Sequence, residues 1–153
     1  MNRITRIGRL AAYDEDFALW SAEQAALLRA GRLDGLDREN LAEEIESLGR
    51  SERYEIESRL KVLLVHLLKW RHQPQARSSG WKGSIYEQRV RIARRIRNSP
   101  SLRGYPADIM AEEYFFAVPQ AADETGLPED AFPAVCPFTI EQILDPDFLP
   151  EPD

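Results

Sequence analysis

One long helical pattern limits what this chain can fold into. Leu41, Ile45, Leu48, Glu52, Ile56, Leu60, Leu63, Leu67 and Trp70 follow one another at steps of three or four, eight steps over 29 residues, a mean of 3.6. That is the period of an α-helix, and a stripe of this length needs other elements to cover it. Asp37 is placed to cap the helix, and the acid-first pairs Glu46 with Arg50, Glu55 with Arg59 and Glu57 with Lys61 support it at four-residue spacing. The pattern continues to His72 and is stopped by Pro74. At Gly49, flanked by Ser47 and Ser51, glycine costs about 1 kcal/mol relative to alanine, so a bend or two abutting helices are expected as readily as one straight rod.

Shorter helical patterns flank the long one. Asp14 or Asp16 opens a first helix running to Ala30, with Gly31 as its stop and Phe17, Trp20, Leu27 and Leu28 on its buried face, interrupted by Gln24. Residues 73–83 read as the clearest loop. Ser84 with Glu87 makes a capping box that starts the next helix, which continues to Asn98 with Ile85, Ile92 and Ile96 facing inward. Pro100 and Pro106 suit first helical positions, and the helix carrying Ile109, Met110, Phe116 and Ala117 runs to Gly126 with a kink at Pro119. Prolines 128, 133, 137, 146, 150 and 152 leave room only for short turns, one of them opened by a Thr139–Gln142 capping box, while Phe132, Phe138 and Phe148 anchor the tail. No segment alternates with a period of two. The expected fold is therefore all-α: a small helical bundle with one long central helix, a bend allowed near Gly49, and a proline-rich C-terminal strap. Residues 13–153 are expected as a single helical domain and residues 1–12 as a flexible basic tail.

At 153 residues, 43% apolar and 30% charged, the chain can build one core without disulfide or metal. Its longest apolar run, Val62 to Leu68, is interrupted by His66 and flanked by Lys61 and Lys69. A spanning helix needs about 20 apolar residues, so no membrane partner is expected. Cys136 is the single cysteine, and no apolar leader stretch begins the chain, which together point to a cytoplasmic setting. The net charge of −6 hides a segregation into blocks of +3 (residues 1–12), −8 (13–58), +11 (59–103) and −12 (104–153). The basic block either meets the acidic ones within the fold, the favoured reading, or presents a basic face to an anionic partner.

Candidate sites follow from this layout. Glu52, Arg59 and His66 lie seven residues apart and share the stripe's face, a constellation that suits proton transfer or anion binding, or else a hydrogen-bonded layer that sets helix register. Glu52 and His66 are about 21 Å apart along an ideal helix, too far to act on one atom. Arg89, Arg91, Arg94, Arg95 and Arg97, with Trp81 and Tyr86 nearby, form a candidate basic surface for nucleic acid. Residues 80–84 could hold an anion at a helix start, although ordinary capping accounts for them and they are not a Walker sequence. Glu-x-x-His, His-x-x-x-His and Cys-x-x-Cys are absent, so no metal is assigned. Cys136, between Val135 and Pro137, reads as a small buried hydrophobe, and Trp20, Trp70 and Trp81 as packing anchors.

Tyr13-Asp14-Glu15-Asp16-Phe17 with Trp20 and Gln24, Glu39-Asn40-Leu41, Glu43-Glu44-Ile45-Glu46, Leu48-Gly49-Arg50-Ser51 and His66-Leu67-Leu68-Lys69-Trp70 with Gln73-Pro74 form a recognisable order of motifs. Trp81, Gln88-Arg89, Ser99-Pro100-Ser101-Leu102, Glu124-Thr125-Gly126-Leu127-Pro128 and Cys136-Pro137 continue it. In this order the chain resembles the bacterial family called domain of unknown function 29, over nearly its whole length after residue 12. The resemblance implies a small, all-helical, cytoplasmic bacterial protein and supplies no catalytic residues. Gly104, Pro106 and Pro119 depart from the more continuous fourth helix that the resemblance implies.

No complete catalytic or metal constellation emerges, so no catalytic residue, cofactor or metal is assigned and an enzyme is the less favoured class. The favoured role is a protein-binding or adaptor module whose partner is another protein or a second copy in a homodimer. The alternatives are a nucleic-acid-binding protein using residues 59–103, and an enzyme with a site around Arg59 and His66.

Overall fold

The computed structural model describes residues 9–152. Residues 1–8, most of the expected basic tail, lie outside the described residues. The described chain is all-α: α1 (Phe17–Arg29), α2 (Arg38–His72), α3 (Ser79–Asn98), α4 (Tyr105–Thr125) and α5 (Ile140–Leu144), with four short 3-10 turns between them and no strand. It divides into two compact units, residues 1–49 and 50–153, and α2 contributes to both. The backbone of α2 is helical through Gly49, so the stripe belongs to one helix rather than to two abutting ones.

In the first unit, Asp16 caps α1 by accepting from the backbone N–H of Leu19 at 3.0 Å. Gly31 follows the helix with φ +70°, a left-handed conformation that favours glycine at this stop. The buried face of α1 is narrower and more polar than its apolar pattern implies. Trp20 is buried, but so are Glu23 and Gln24, whereas Phe17 and Leu28 are about half exposed at 51% and 49%. Hydrogen bonds account for the difference. Gln24 Oε1 accepts from the backbone of Asp37 at 2.8 Å, and Glu23 Oε2 from the backbone of Ala11 at 2.7 Å. These backbone donors would lose water on burial, and the polar pair satisfies them.

Asp37 ties this unit together. Its carboxylate accepts from Trp20 Nε1 at 3.0 Å and from Asn40 Nδ2 at 2.8 Å, and from the Asn40 backbone as well, which is the capping interaction. Tyr13 stacks edge-on against Trp20 at 4.9 Å between centroids and donates to Glu44 of α2.

The second unit contains the apolar core. Leu63, Leu64, Val65, Leu67 and Leu68 of α2 have no exposed surface, and a helix apolar on every side must be covered on every side. Ile85 and Ile92 of α3, Ile109, Tyr114, Ala117 and Ala121 of α4, and Phe132, Phe138 and Ile143 from the C-terminal segment supply that cover. Trp70 and Ile96 pack against the core but are only partly buried.

Helix α3 begins at Ser79, five residues before the expected start. Ser78 accepts from the backbone of Trp81 at 3.1 Å and caps it, so the Ser84–Glu87 pair lies inside the helix and does not open it. Pro106 occupies the first turn of α4, Pro119 lies within the helix without ending it, and Gly126 closes it at φ +72°. The capping box at Thr139 and Gln142 forms in full at α5.

Candidate functional site

The polar stripe does not converge. Glu52 Oε1 receives Arg95 Nη1 at 2.9 Å, a bond from α3 to α2, while its buried Oε2 has no hydrogen-bond partner among the described residues. Arg59 turns along its own helix to Glu55 at 2.9 Å and reaches Gln88 of α3 at 3.3 Å. His66 donates from Nδ1 to the carbonyl of Val62 one turn earlier, at 2.8 Å, which leaves Nε2 as the acceptor in the neutral ring. Each of the three side chains therefore serves a different partner. Among the described residues, no three His, Cys, Asp or Glu side chains gather where a metal ion could sit.

Nearby polar contacts hold the helices of this unit together. Lys69 Nζ reaches Glu124 of α4 at 2.7 Å and lies 4.6 Å from the centre of the Trp81 ring. Burial pushes the Glu124 carboxyl upward, but hydrogen bonds from Gln120 and Lys69 and the charges of Lys69 and His66 outweigh it and hold the group below its ordinary value. Arg77 donates to the Trp70 carbonyl at 2.8 Å and stacks over its ring. Tyr105 donates to Glu57, and that bond, with burial and the Glu57 charge, raises its phenol to about 12. Burial, followed by the charges of Glu57 and Glu112, raises Glu113. The thiol of Cys136 is half-buried, is raised by burial and lies 3.5 Å from the carbonyl of Phe138. These properties suit a packing residue better than a nucleophile.

The five arginines of the candidate basic surface separate into three kinds. Arg89 is not on a surface: it is 5% exposed, with Nε donating to the Ile143 carbonyl at 2.8 Å and Nη2 to the Gln142 carbonyl at 3.3 Å. Burial lowers its pKa, against the attraction of Asp145 and Asp147. It joins α3 to the end of α5, where the helix runs out of its own donors; the Gln142 carbonyl also receives the backbone N–H of Asp145 at 3.3 Å. Its position was legible, because Ile85, Arg89, Ile92 and Ile96 are spaced by four, three and four. Arg91 pairs with Glu87 and Arg95 with Glu52, each at 2.9 Å. Arg94 and Arg97 are exposed and have no acidic partner among the described residues, and the same is true of Arg103.

Residue spacing alone did not reveal a groove along α3. Arg89, Ile92, Ala93, Ile96 and Arg97 form one face of the helix and, with Pro100, Arg103 and Leu144, line a cavity of about 420 Å³. Leu144 ends α5, which is only five residues long, so this short helix meets only part of the face.

The apolar stripe of α2 also changes character along its length. From Ile56 onward its leucines are fully buried, but in the first unit Ile45 and Leu48 are 67% and 69% exposed and Leu41 is half-buried. This part of the stripe lies outside the core that encloses Leu60, Leu63 and Leu67. The amphipathic pattern is present there, and nothing among the described residues covers Ile45 and Leu48.

No helix among the described residues is long and apolar enough to cross a membrane. No curated protein and no solved structure matches the chain. Residues 12–149 match the family described as Domain of unknown function DUF29, and with this span covering nearly all of the sequence, the chain belongs to that family.

Proposed function

We propose that the protein is a cytoplasmic protein-binding module whose docking surface is the exposed ridge of α2 in the first unit. The observation that supports this reading is the exposure of Ile45 and Leu48, two large apolar side chains three residues apart on one helix face. Exposed apolar patches of this kind mark partner surfaces when polar groups rim them. The rim here is acidic: Glu39, Glu43, Glu44 and Glu46 share these turns, and residues 13–58 carry a net charge of −8. The matching partner is a protein segment that presents apolar side chains flanked by lysine or arginine, a helix-in-groove or helix-on-helix mode of recognition. A second copy is the weaker candidate, since two acidic ridges laid face to face repel each other.

The test compares the wild-type chain with Ile45→Glu and Leu48→Glu for the proteins retained from the native host. Circular dichroism should be unchanged for both variants, because these positions carry no core packing. Specific loss of one basic partner, reproduced with the purified partner, is the expected result. Retention that is indifferent to both substitutions overturns the reading. Sedimentation over a range of concentrations identifies a second copy, which would appear as self-association abolished by the same variants.

A further inference from the structure

We infer that the groove along α3 is a binding site for a small amphiphile, an aliphatic chain ending in a single oxyanion headgroup. Its origin lies in a mismatch of lengths. Helix α3 has 20 residues and rises about 30 Å at 1.5 Å per residue, whereas α5 has five and rises about 7.5 Å. Asp145 and Pro146 prevent α5 from continuing. The face formed by Arg89, Ile92, Ala93, Ile96 and Arg97 is thus met by α5 at Arg89, bordered by Leu144, and continued beyond the helix end by Pro100 and Arg103. The resulting space of about 420 Å³ falls within the range of small-molecule sites, about 300–1,000 Å³.

The lining determines the ligand's chemistry. Ile92, Ala93, Ile96, Pro100 and Leu144 are aliphatic, and no lining side chain is aromatic or carries a hydroxyl or amide. No aromatic ring is there to stack on a base, and no side-chain acceptor is there to receive the hydroxyls of a sugar. The three polar residues are all arginine, and the lining contains no acid. On the same helix, Arg91 and Arg95 are paired with carboxylates, while Arg97 and Arg103 in the groove have no acidic partner among the described residues. Arg89 contributes a guanidinium fixed by two carbonyls, with donors beyond the two that those bonds use. A guanidinium next to an apolar floor matches a carboxylate or phosphate head on an alkyl body. This inference does not depend on the ridge of α2.

The experiment titrates the full chain with butyrate, hexanoate and octanoate, and with octyl phosphate and octanol, each below its aggregation concentration, while following backbone amide shifts. The expected result is one site, with shifts centred on residues 89–103 and Leu144. Affinity should rise about fourfold per methylene along the carboxylate series, and octanol should bind more weakly than octanoate. Octyl phosphate distinguishes a phosphate head, if it binds more tightly than octanoate, from a carboxylate head. Arg97→Glu with Arg103→Glu should weaken octanoate about tenfold or more and leave octanol unchanged, because the charge-assisted hydrogen bonds lost are those to the carboxylate. Ala93→Phe fills the floor from an exposed position and should weaken both ligands. Circular dichroism checks that each variant is folded. Octanol equal to octanoate, octanoate indifferent to the variants, shifts centred elsewhere, or no binding at millimolar ligand would overturn the inference.

Discussion

Leu63 and Leu48 allow the sharpest test of how α2 is used, because they are the same residue on the same stripe of one helix. Leu63 has no exposed surface, whereas Leu48 is 69% exposed. Truncating Leu63 to alanine removes three carbons from a packed interior, a transfer loss of about 2.4 kcal/mol at about 0.8 per methylene. The cavity left among Ile56, Leu60, Leu67 and their neighbours adds to this, bringing the total to about 3–5 kcal/mol. Leu48→Ala loses only the covered third of the same surface, about 0.7 kcal/mol by the same scale. Alanine's higher helix propensity offsets part of that, leaving a net change within about 0.5 kcal/mol.

The assay is urea unfolding of both single variants and the double variant, followed by far-ultraviolet circular dichroism at fixed pH. The two sites belong to different compact units, so the double variant should equal the two single effects combined to within about 0.5 kcal/mol. A midpoint shift for Leu48→Ala as large as that for Leu63→Ala would mean that the ridge is covered, and the docking proposal would fall with it. A shift under about 1 kcal/mol for Leu63→Ala would refute the placement of the core.

Arg89→Met should cost about 1.5–3 kcal/mol by removing a charged donor from two carbonyls, and hydrogen exchange should show residues 140–150 losing protection before α2 does. Glu113 is raised in the folded state, so its contribution is full below the unfolded carboxyl pKa and is lost as pH rises through the folded value; Glu113→Gln should flatten that part of the stability profile and stabilise the chain at neutral pH. Asp37 behaves in the opposite sense, because the hydrogen bond from Asn40 lowers it against burial, with Trp20 assisting: its contribution is lost as pH falls through the folded value, and Asp37→Asn should remove that acid-side slope in unfolding midpoints. Tyr105 and Tyr114 are each raised to about 12, the first chiefly by its bond to Glu57 and the second by burial. Tyrosinate absorbance should therefore show a late component that Tyr105→Phe and Tyr114→Phe each reduce, with stability falling between pH 10 and about 12.

What the sequence revealed follows the range of the interactions involved. The caps at Asp16 and Asp37, the stops at Gly31 and Gly126, and the capping box at Thr139 are decided within a few residues, and each forms where the pattern places it. The start of α3 differs from the sequence pattern because two serines six residues apart, Ser78 and Ser84, compete for it. Ser84 matches the fuller capping motif, but Ser78 begins a helix that also buries Ile85 and brings Trp81 over Lys69. Glycines 80 and 83 read as loop residues, and the packing of the helix overrides their weak propensity. The exposure of Ile45 and Leu48 and the burial of Glu23, Gln24 and Arg89 depend on what lies opposite each residue. Periodicity identifies a helix face but not its cover, and for Arg89 the cover is a pair of carbonyls more than 50 residues away.

The same reasoning explains why the basic block is only partly neutralised. Of its twelve cations, Arg59, Lys69, Arg91 and Arg95 meet Glu55, Glu124, Glu87 and Glu52. Arg77 and Arg89 are satisfied largely by backbone carbonyls, which offer partial charge and direction but no formal neutralisation. The most acidic block, residues 104–153, contributes Glu124 to these pairs, while Asp145 and Asp147 act on Arg89 only through longer-range attraction. Arg94 and Arg97 lie toward the C-terminal end of α3, where the helix macrodipole is negative and a cation is favoured by about 0.3–1 kcal/mol without any acid. Folding therefore tolerates unpaired charge at that end of the helix. Where this charge borders the aliphatic groove, an anion with an apolar body can satisfy both features at once, and the fold has no other group positioned to do so among the residues that line it.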